Sequence, residues 1–338
     1  LGQWLFEKNR LYLNDGAGQF TQASFNLPND SDPTRGVTLG DVDGDDDLDA
    51  LIANGFDQTS PPDRLYLNNG SGAFTSAPDQ LPEDGLDTES IALGDVDGDG
   101  DLDAFLANGQ VGHDGEAFAG LPNRLYRNDG SGTFIATVGQ IPLQADDTVA
   151  AAFADVDGDA DLDLVLGNGW GLGDLSAPPD RLWLNDGRGS FSPTQGMLPG
   201  DGGSLAVEAF DADADADLDL VLGRGLDRQD RLLFNDGSGA FTDVTHPFPY
   251  DHDETNTVLL GDLDGDELLD LFIANWIDQN RLYLNDGTGP YLDASDRVPA
   301  DSMYSTSAAA WSSPPEGDRL PAPSFRSGTS GPSRTSSC

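Results

Sequence analysis

Apolar residues along this chain come in short runs of two kinds. In the first kind nearly every position is apolar: Leu48–Ala53, Leu102–Ala107, Leu162–Gly167, Leu218–Gly223 and Leu269–Ala274. Strands covered on both faces read this way, because neither side-chain row meets water. Each such run is preceded, some ten residues upstream, by a second short run: Gly36–Gly40, Ile91–Gly94, Ala150–Ala154, Leu205–Phe210 and Val258–Gly261. In the other kind an arginine opens an alternation of Leu with Tyr, Trp or Phe. A turn follows, typically Asn-Asp-Gly with a further Gly, and then an aromatic residue. Copies span Arg10–Phe20, Arg64–Phe74, Arg124–Phe134, Arg181–Phe191, Arg231–Phe241 and Arg281–Tyr291. Glycine supplies the positive φ that tight hairpin turns need, so this segment predicts a hairpin. A 3.6-residue period is not visible over any useful length, so helices are not expected.

Between the paired runs lies an aspartate ladder, first seen as Asp41-Val-Asp-Gly-Asp-Asp-Asp-Leu-Asp49. It recurs at Asp95–Asp103, Asp155–Asp163, Asp211–Asp219 and Asp262–Asp270, with starts 54, 60, 56 and 51 residues apart. One unit therefore reads strand, aspartate loop, strand, variable connection, strand, Asp-Gly turn, strand. Four antiparallel strands repeated about every 55 residues predict an all-β fold, a β-propeller of four-stranded antiparallel blades. The chain opens on the last two strands of one blade (residues 1–25), continues through five complete blades, and reaches a first-strand-like run at Ser305–Trp311. A seven-bladed ring lacking parts of two blades is the preferred expectation. The alternative is a six-bladed ring in which residues 305–311 pair with the N-terminal half-blade. The propeller is expected to span 1–311. Residues 312–338, with 8 Ser and 5 Pro, read as a disordered tail. The chain begins at Leu1, in mid-pattern, so an upstream segment and further domains are expected.

Charge sharpens this picture. The formal net charge is −45, which argues against nucleic acid as a partner. Of 53 Asp, 25 sit in the five ladders, which contain no Lys or Arg. An acidic, salt-adapted surface with one lysine (Lys8) is the bland alternative, although it does not account for regular spacing. Cys338 is the only cysteine, so no disulfide can form within the chain. No apolar run approaches the ~18 residues that span a bilayer as a helix.

The ladders carry the candidate chemistry. Numbered one to nine, each has Asp at positions one, three, five and nine. Position four is Gly44, Gly98, Gly158 and Gly265 but Ala214 in the fourth ladder, which also has Ala216. Position seven is Asp in four ladders and Leu268 in the fifth. Oxygen ligands at alternate positions of a tight loop suit a hard divalent cation. Likeness to an EF-hand is only partial, because position twelve holds Ile52, Leu106, Leu166, Leu222 or Ile273 in place of its glutamate. Solvated acidic turns are the alternative. Against them, like charges ~4 Å apart repel by about 1 kcal/mol even in water, so the crowded loops call for a cation.

The ladder, the apolar strand and the Arg-Leu-Tyr-Leu-Asn-Asp-Gly-x-Gly-x-Phe hairpin together resemble the FG-GAP/VCBS repeat family, which includes the integrin α-chain propeller, bacterial VCBS-repeat proteins and the cartilage-acidic-protein group. The resemblance covers residues 1–311. It implies calcium (Ca2+), one ion per loop, on one face of the propeller, bound through positions one, three, five and nine. The implied ligands are Asp41, Asp43, Asp45 and Asp49; Asp95, Asp97, Asp99 and Asp103; Asp155, Asp157, Asp159 and Asp163; Asp211, Asp213, Asp215 and Asp219; and Asp262, Asp264, Asp266 and Asp270. Alanine resists the backbone conformations glycine permits, so the fourth loop departs most from the pattern. Sites of 10⁻⁴ M affinity in millimolar calcium would each contribute about 1.4 kcal/mol. Cytosolic calcium would be too scarce to fill them, which points to an extracellular or cell-surface setting.

The opposite edge of each blade is expected to vary, through connections 54–63, 108–123, 168–180, 224–230 and 275–280. Phe56, His113, Phe118, Trp170 and Trp276 lie there and suit either a protein or glycan ligand or the packing of the blade beneath. The hairpin arginines recur once per blade and read as architectural. Catalytic signatures such as Gly-x-Ser-x-Gly or His-Glu-x-x-His are absent. His246–His252 reads as an inter-blade loop, although a metal site can be imagined there. The chain is thus expected not to be an enzyme but a calcium-stabilised adhesion or ligand-binding module. The alternatives are the propeller part of a larger secreted hydrolase or lyase, and a purely structural surface protein.

Overall fold

The continuous apolar runs form the second strands of five four-stranded antiparallel sheets. The computed structural model describes residues 8–15, 19–55, 61–109, 120–169, 177–194, 198–225, 228–245, 248, 253–275, 278–287 and 291–298. A two-stranded half-blade comes first, β1 (Tyr12–Asn14) and β2 (Phe20–Gln22). Blade one is β3 (Thr34–Gly40), β4 (Asp49–Asn54), β5 (Arg64–Asn68) and β6 (Phe74–Ser76). Blade two is β7 (Thr88–Gly94), β8 (Asp103–Asn108), β9 (Arg124–Asn128) and β10 (Phe134–Ala136). Blade three is β11 (Thr148–Ala154), β12 (Asp163–Asn168), β13 (Arg181–Asn185) and β14 (Phe191–Pro193). Blade four is β15 (Ser204–Phe210), β16 (Asp219–Arg224), β17 (Arg231–Asn235) and β18 (Phe241–Asp243). Blade five is β19 (Thr255–Gly261), β20 (Asp270–Asn275), β21 (Arg281–Leu284) and β22 (Leu292–Asp293). Strands follow sequence order in every blade. Single 3₁₀ turns at Ser24–Asn26 and Ser295–Arg297 are the only helical elements among the described residues. Residues 305–311 and the tail 312–338 lie outside them.

The first strands pack in succession, β3 on β7, β7 on β11, β11 on β15 and β15 on β19. Between blades lie the hydrophobic clusters, and the second strands show why their sequence does not alternate. Leu51 and Ala53 face blade two, joining Ile91, Ala104, Leu106 and Tyr126, whereas Ala50 and Ile52 face the other way, with Tyr66 and Leu27. Phe105 and Ala107 likewise turn towards Leu164, Leu166 and Trp183 of blade three. The period of two is intact, but both rows are buried. Phe105 sits edge-on to Phe153 and Trp183, at centroid distances of 6.4 and 6.3 Å. On blade one Val37 and Leu39 stay more than half exposed, because the half-blade presents only its last two strands on that side.

Polar clamps tie each blade to the next at both ends. At the aspartate-loop end, the amide of the hairpin asparagine donates to the carbonyl at ladder position two of the preceding blade. Asn128 reaches Val42, Asn185 reaches Val96 and Asn235 reaches Val156, each at 2.8 Å. The same amides donate to Leu102, Leu162 and Leu218 of their own loops. At the opposite end Thr88 donates to Asp63 (2.8 Å), Ser204 to Asp180 (2.7 Å) and Thr255 to Asp230 (3.0 Å), while Asn123 donates to Thr148 (3.0 Å). The repeated arginines brace their own blades, against acids just before the first strand. Arg64 pairs with Asp32, Arg181 with Asp146 and Arg281 with Asp253, at 2.6–2.7 Å.

Truncating such an asparagine strands two buried carbonyls, each costing about 1–3 kcal/mol. Asn185→Ala is expected to lower unfolding stability by about 2–4 kcal/mol, read by chemical denaturation. Asn68→Ala, whose amide reaches Leu48 of its own blade, should cost less.

Candidate metal centres

Each ladder leaves the end of a first strand and turns back into the second, so its nine residues are a connection between neighbouring strands. The turn needs left-handed backbone at two positions. Position four supplies φ values of +75° to +88° at Gly44, Gly98, Gly158 and Gly265. Position six supplies +68° to +95° through Asp46, Gly100, Ala160, Ala216 and Glu267.

The position-one carboxylate organises this turn. Asp41 accepts from the backbone N–H of Gly44 (2.8 Å), Asp45 (3.1 Å) and Asp46 (2.9 Å). Asp262 accepts from Gly265, Asp266 and Glu267 in the same way. Position five folds back on the loop, where Asp45, Asp99, Asp159, Asp215 and Asp266 each accept the N–H of position seven at 2.9–3.0 Å. The position-seven carboxylates Asp47, Asp101, Asp161 and Asp217 lie against the glycine of their blade's own hairpin turn.

Position nine begins the second strand and is almost wholly buried. One oxygen of Asp163 accepts the N–H of Val156 (3.2 Å) and the other that of Asn185 (2.9 Å). The same two bonds recur at Asp49, Asp103, Asp219 and Asp270. Burial raises these carboxyls in spite of the bonds: Asp103 and Asp163 to about 7, Asp219 to about 6, with Asp49 and Asp270 also raised. At position three, burial first and then the flanking ladder carboxylates raise Asp43, Asp157 and Asp213.

In four loops the carboxylates at positions one, three and nine converge, with oxygens within 4.8 Å of one another: Asp41, Asp43 and Asp49; Asp155, Asp157 and Asp163; Asp211, Asp213 and Asp219; Asp262, Asp264 and Asp270. Position five is not one of these three, but its carboxylate lies beside position three, where Asp45, Asp159 and Asp215 help to raise Asp43, Asp157 and Asp213. In the second loop the group is Asp95, Asp97 and Asp99. The donor set fits a hard cation, being oxygen throughout. Asp43 Oδ1 and Asp157 Oδ1 are also buried without a hydrogen-bond partner, a costly state that a bound ion would relieve. Asp97 Oδ1 is likewise without one, although the other oxygen of Asp97 contacts Arg127.

Two features were not read from the sequence. One is the inter-blade role of the hairpin asparagines. The other is Arg127, whose guanidinium contacts Asp97 and lies 3.3 Å from Asp103. Its signal was a substitution, since every other hairpin copy has Leu or Phe at that position. The fourth loop, with Ala214 (φ +66°) and Ala216 (φ +78°), keeps the bonds from Asp215 and Ala216 to Asp211 and the same triad, but not the position-four N–H bond that Gly44, Gly98, Gly158 and Gly265 make. Phe56, His113, Phe118, Trp170, Trp276, His246 and His252 lie outside the described residues.

Residues 6–52, 51–106, 111–166 and 217–273 match the FG-GAP-like repeat, together more than half of the chain. The chain belongs to the FG-GAP-like repeat family. Each matched repeat ends just after a ladder, and the fourth ladder, with its two alanines, falls mostly between matches. No curated protein sequence matches the chain significantly. Among solved structures the FG-GAP-like propeller is similar to a lectin of Agrocybe aegerita described as specifically recognising non-reducing terminal N-acetylglucosamine. That similarity has a TM-score of 0.55 and 17% identity, over 84% of this chain and 73% of the lectin. It also has some similarity to the Vibrio cholerae biofilm matrix protein Bap1, with a TM-score of 0.40 and 15% identity, over 78% of this chain and 39% of that one. These likenesses are of fold.

A carboxyl raised on folding stabilises fully below its ordinary value of about 4, and that contribution is lost as pH rises through its folded-state value, about 7 for Asp103 and Asp163. Metal-stripped protein is therefore expected to melt at a higher temperature at pH 5 than at pH 7.5, and Asp163→Asn to flatten that dependence. The double change Ala214→Gly, Ala216→Gly relieves two left-handed alanines and should stabilise by about 1–2 kcal/mol, measured by denaturation.

Proposed function

We propose that the aspartate loops bind calcium and that the propeller acts outside the cell as an adhesion or ligand-binding module. The observation that carries the reading is the triad of converging carboxylates at positions one, three and nine, repeated at one end of four blades, with a buried unpartnered oxygen in two of those loops. Bound calcium would supply the positive charge that offsets carboxylate repulsion. Around it the chain's own residues do the rest. Position nine anchors the site to the second strand, position one holds the turn closed, and position three offers the unpartnered oxygen. Because position nine also holds the hairpin asparagine, and that asparagine grips the preceding blade, neutralising a loop stiffens a blade interface. Calcium suits flexible all-oxygen loops better than magnesium, which demands near-ideal octahedral geometry and keeps its waters.

The aspartate end of each blade is uniform, so recognition is assigned to the connections at the opposite end, which vary in length and composition. The lectin shares this fold, and glycans accordingly form the first panel of ligands to screen beside matrix proteins. No catalytic role is assigned.

Thermal melts in calcium, magnesium and chelator, paired with calorimetric stoichiometry, test the metal reading. A calcium-specific rise on the order of 10 °C, with at least four ions bound per chain, is expected. No shift and no bound ion would overturn it and leave the ladders as solvated turns. A glycan and matrix-protein screen tests the ligand reading, which expects a specific hit lost in Trp170→Ala and kept in Asp157→Asn. No specific hit would favour a purely structural role.

A further inference from the structure

The second loop carries a cation of its own. At the fourth position of the hairpin strand, five copies have Leu13, Leu67, Leu184, Phe234 and Leu284, and one has Arg127. The apolar residues Leu67, Leu184 and Phe234 pack against the clusters between blades. Arg127 starts from the same strand position, but its side chain, 16% exposed, ends among the ladder carboxylates. One guanidinium nitrogen contacts Asp97 and lies 3.3 Å from Asp103 Oδ2. The other donates to the carbonyl of Arg188, in the hairpin turn of blade three, at 2.5 Å. Gly189 leaves room for this reach, since a Cβ there would collide with the guanidinium.

The carboxylates have regrouped to match. In the other four loops position nine completes the triad, whereas here Asp103, with Arg127 3.3 Å away, gives its place to Asp99, and the oxygens that converge belong to Asp95, Asp97 and Asp99. By sequence this ladder has glycine at both positions four and six and is the most permissive of the five. What sets it apart is therefore the arriving guanidinium and not the loop backbone. A divalent ion placed among these carboxylates would meet a fixed positive charge within a few ångströms, in a partly desolvated site where repulsion is strong.

We propose that Arg127 is a tethered cation that takes the place of a metal ion in the second loop, so that four loops bind calcium and the second is neutralised by the chain itself. The inference rests on the calcium reading of the other loops. Calcium affinity at the second loop is lowered on the order of 100-fold or more relative to the loops with an apolar residue at that position. Because the guanidinium also donates to the Arg188 carbonyl of blade three, the junction of blades two and three keeps this hydrogen bond when calcium is withdrawn.

Calcium stoichiometry of the whole, chelator-stripped chain, measured by titration calorimetry, decides this. The native chain is expected to bind four ions and Arg127→Leu five. On the native background Asp97→Asn leaves four, whereas Asp43→Asn, Asp157→Asn, Asp213→Asn and Asp264→Asn each leave three. Should Arg127→Leu fail to fold, the ion count of Asp97→Asn is decisive by itself. Five ions in the native chain, an ion lost in Asp97→Asn, or no ion gained in a folded Arg127→Leu overturns the inference and leaves the calcium reading standing. No ion bound by any variant overturns both.

Discussion

A buried carboxylate at the start of each second strand holds this architecture together. Asp49, Asp103, Asp163, Asp219 and Asp270 are shielded from water, and each spends its two oxygens on two backbone N–H groups, one in its own loop and one on the hairpin asparagine. A buried charge is costly unless it is hydrogen-bonded or paired. Here the bonds are supplied by the segments the blade must bring together, so the cost of burial becomes a condition on the fold. The loop closes correctly only if the hairpin stands beside it. The hairpin asparagine in turn carries the constraint across the interface to the loop of the preceding blade.

The same carboxylate belongs to the candidate metal triad, so structural and ionic roles meet in one side chain. Two backbone N–H groups offset part of the burial penalty, yet the folded state still favours the proton at Asp103, Asp163 and Asp219. On the proposed reading, four loops take balancing charge from solution. In the second, Arg127 of the neighbouring strand brings a guanidinium beside Asp97 and Asp103.

The two ends of the blades divide the work. At the aspartate end, carboxylates, hairpin turns and asparagine clamps are nearly the same from unit to unit. At the opposite end the clamp between Thr or Ser and Asp or Asn is likewise regular, but the connection it secures varies freely in length. Regular hydrogen bonding beneath a variable loop lets the loop change without loosening the blades. The arginines that open each hairpin belong to this frame. Arg64, Arg181 and Arg281 hold the acids that lead into the first strand.

Much of this was legible in the residues themselves. The period, the four strands per unit, the hairpins and the ladder positions follow from local chemistry: apolar runs that must be covered, glycines that permit left-handed turns, and carboxylates crowded at alternate positions. Membership of the FG-GAP-like repeat family rests on the same features. Even the strained alanines of the fourth loop were visible, though not that neighbouring bonds would hold Ala214 and Ala216 in the glycine conformation. Only the tertiary structure decided which carboxylates converge and that Asn128 would reach Val42, 86 residues earlier in the chain. It alone showed that Arg127 enters a loop whose own nine residues are the most regular of the five. Those outcomes depend on segments that meet only when blades stack. Spacing along a chain records what a residue can do, whereas packing between blades determines what stands opposite it.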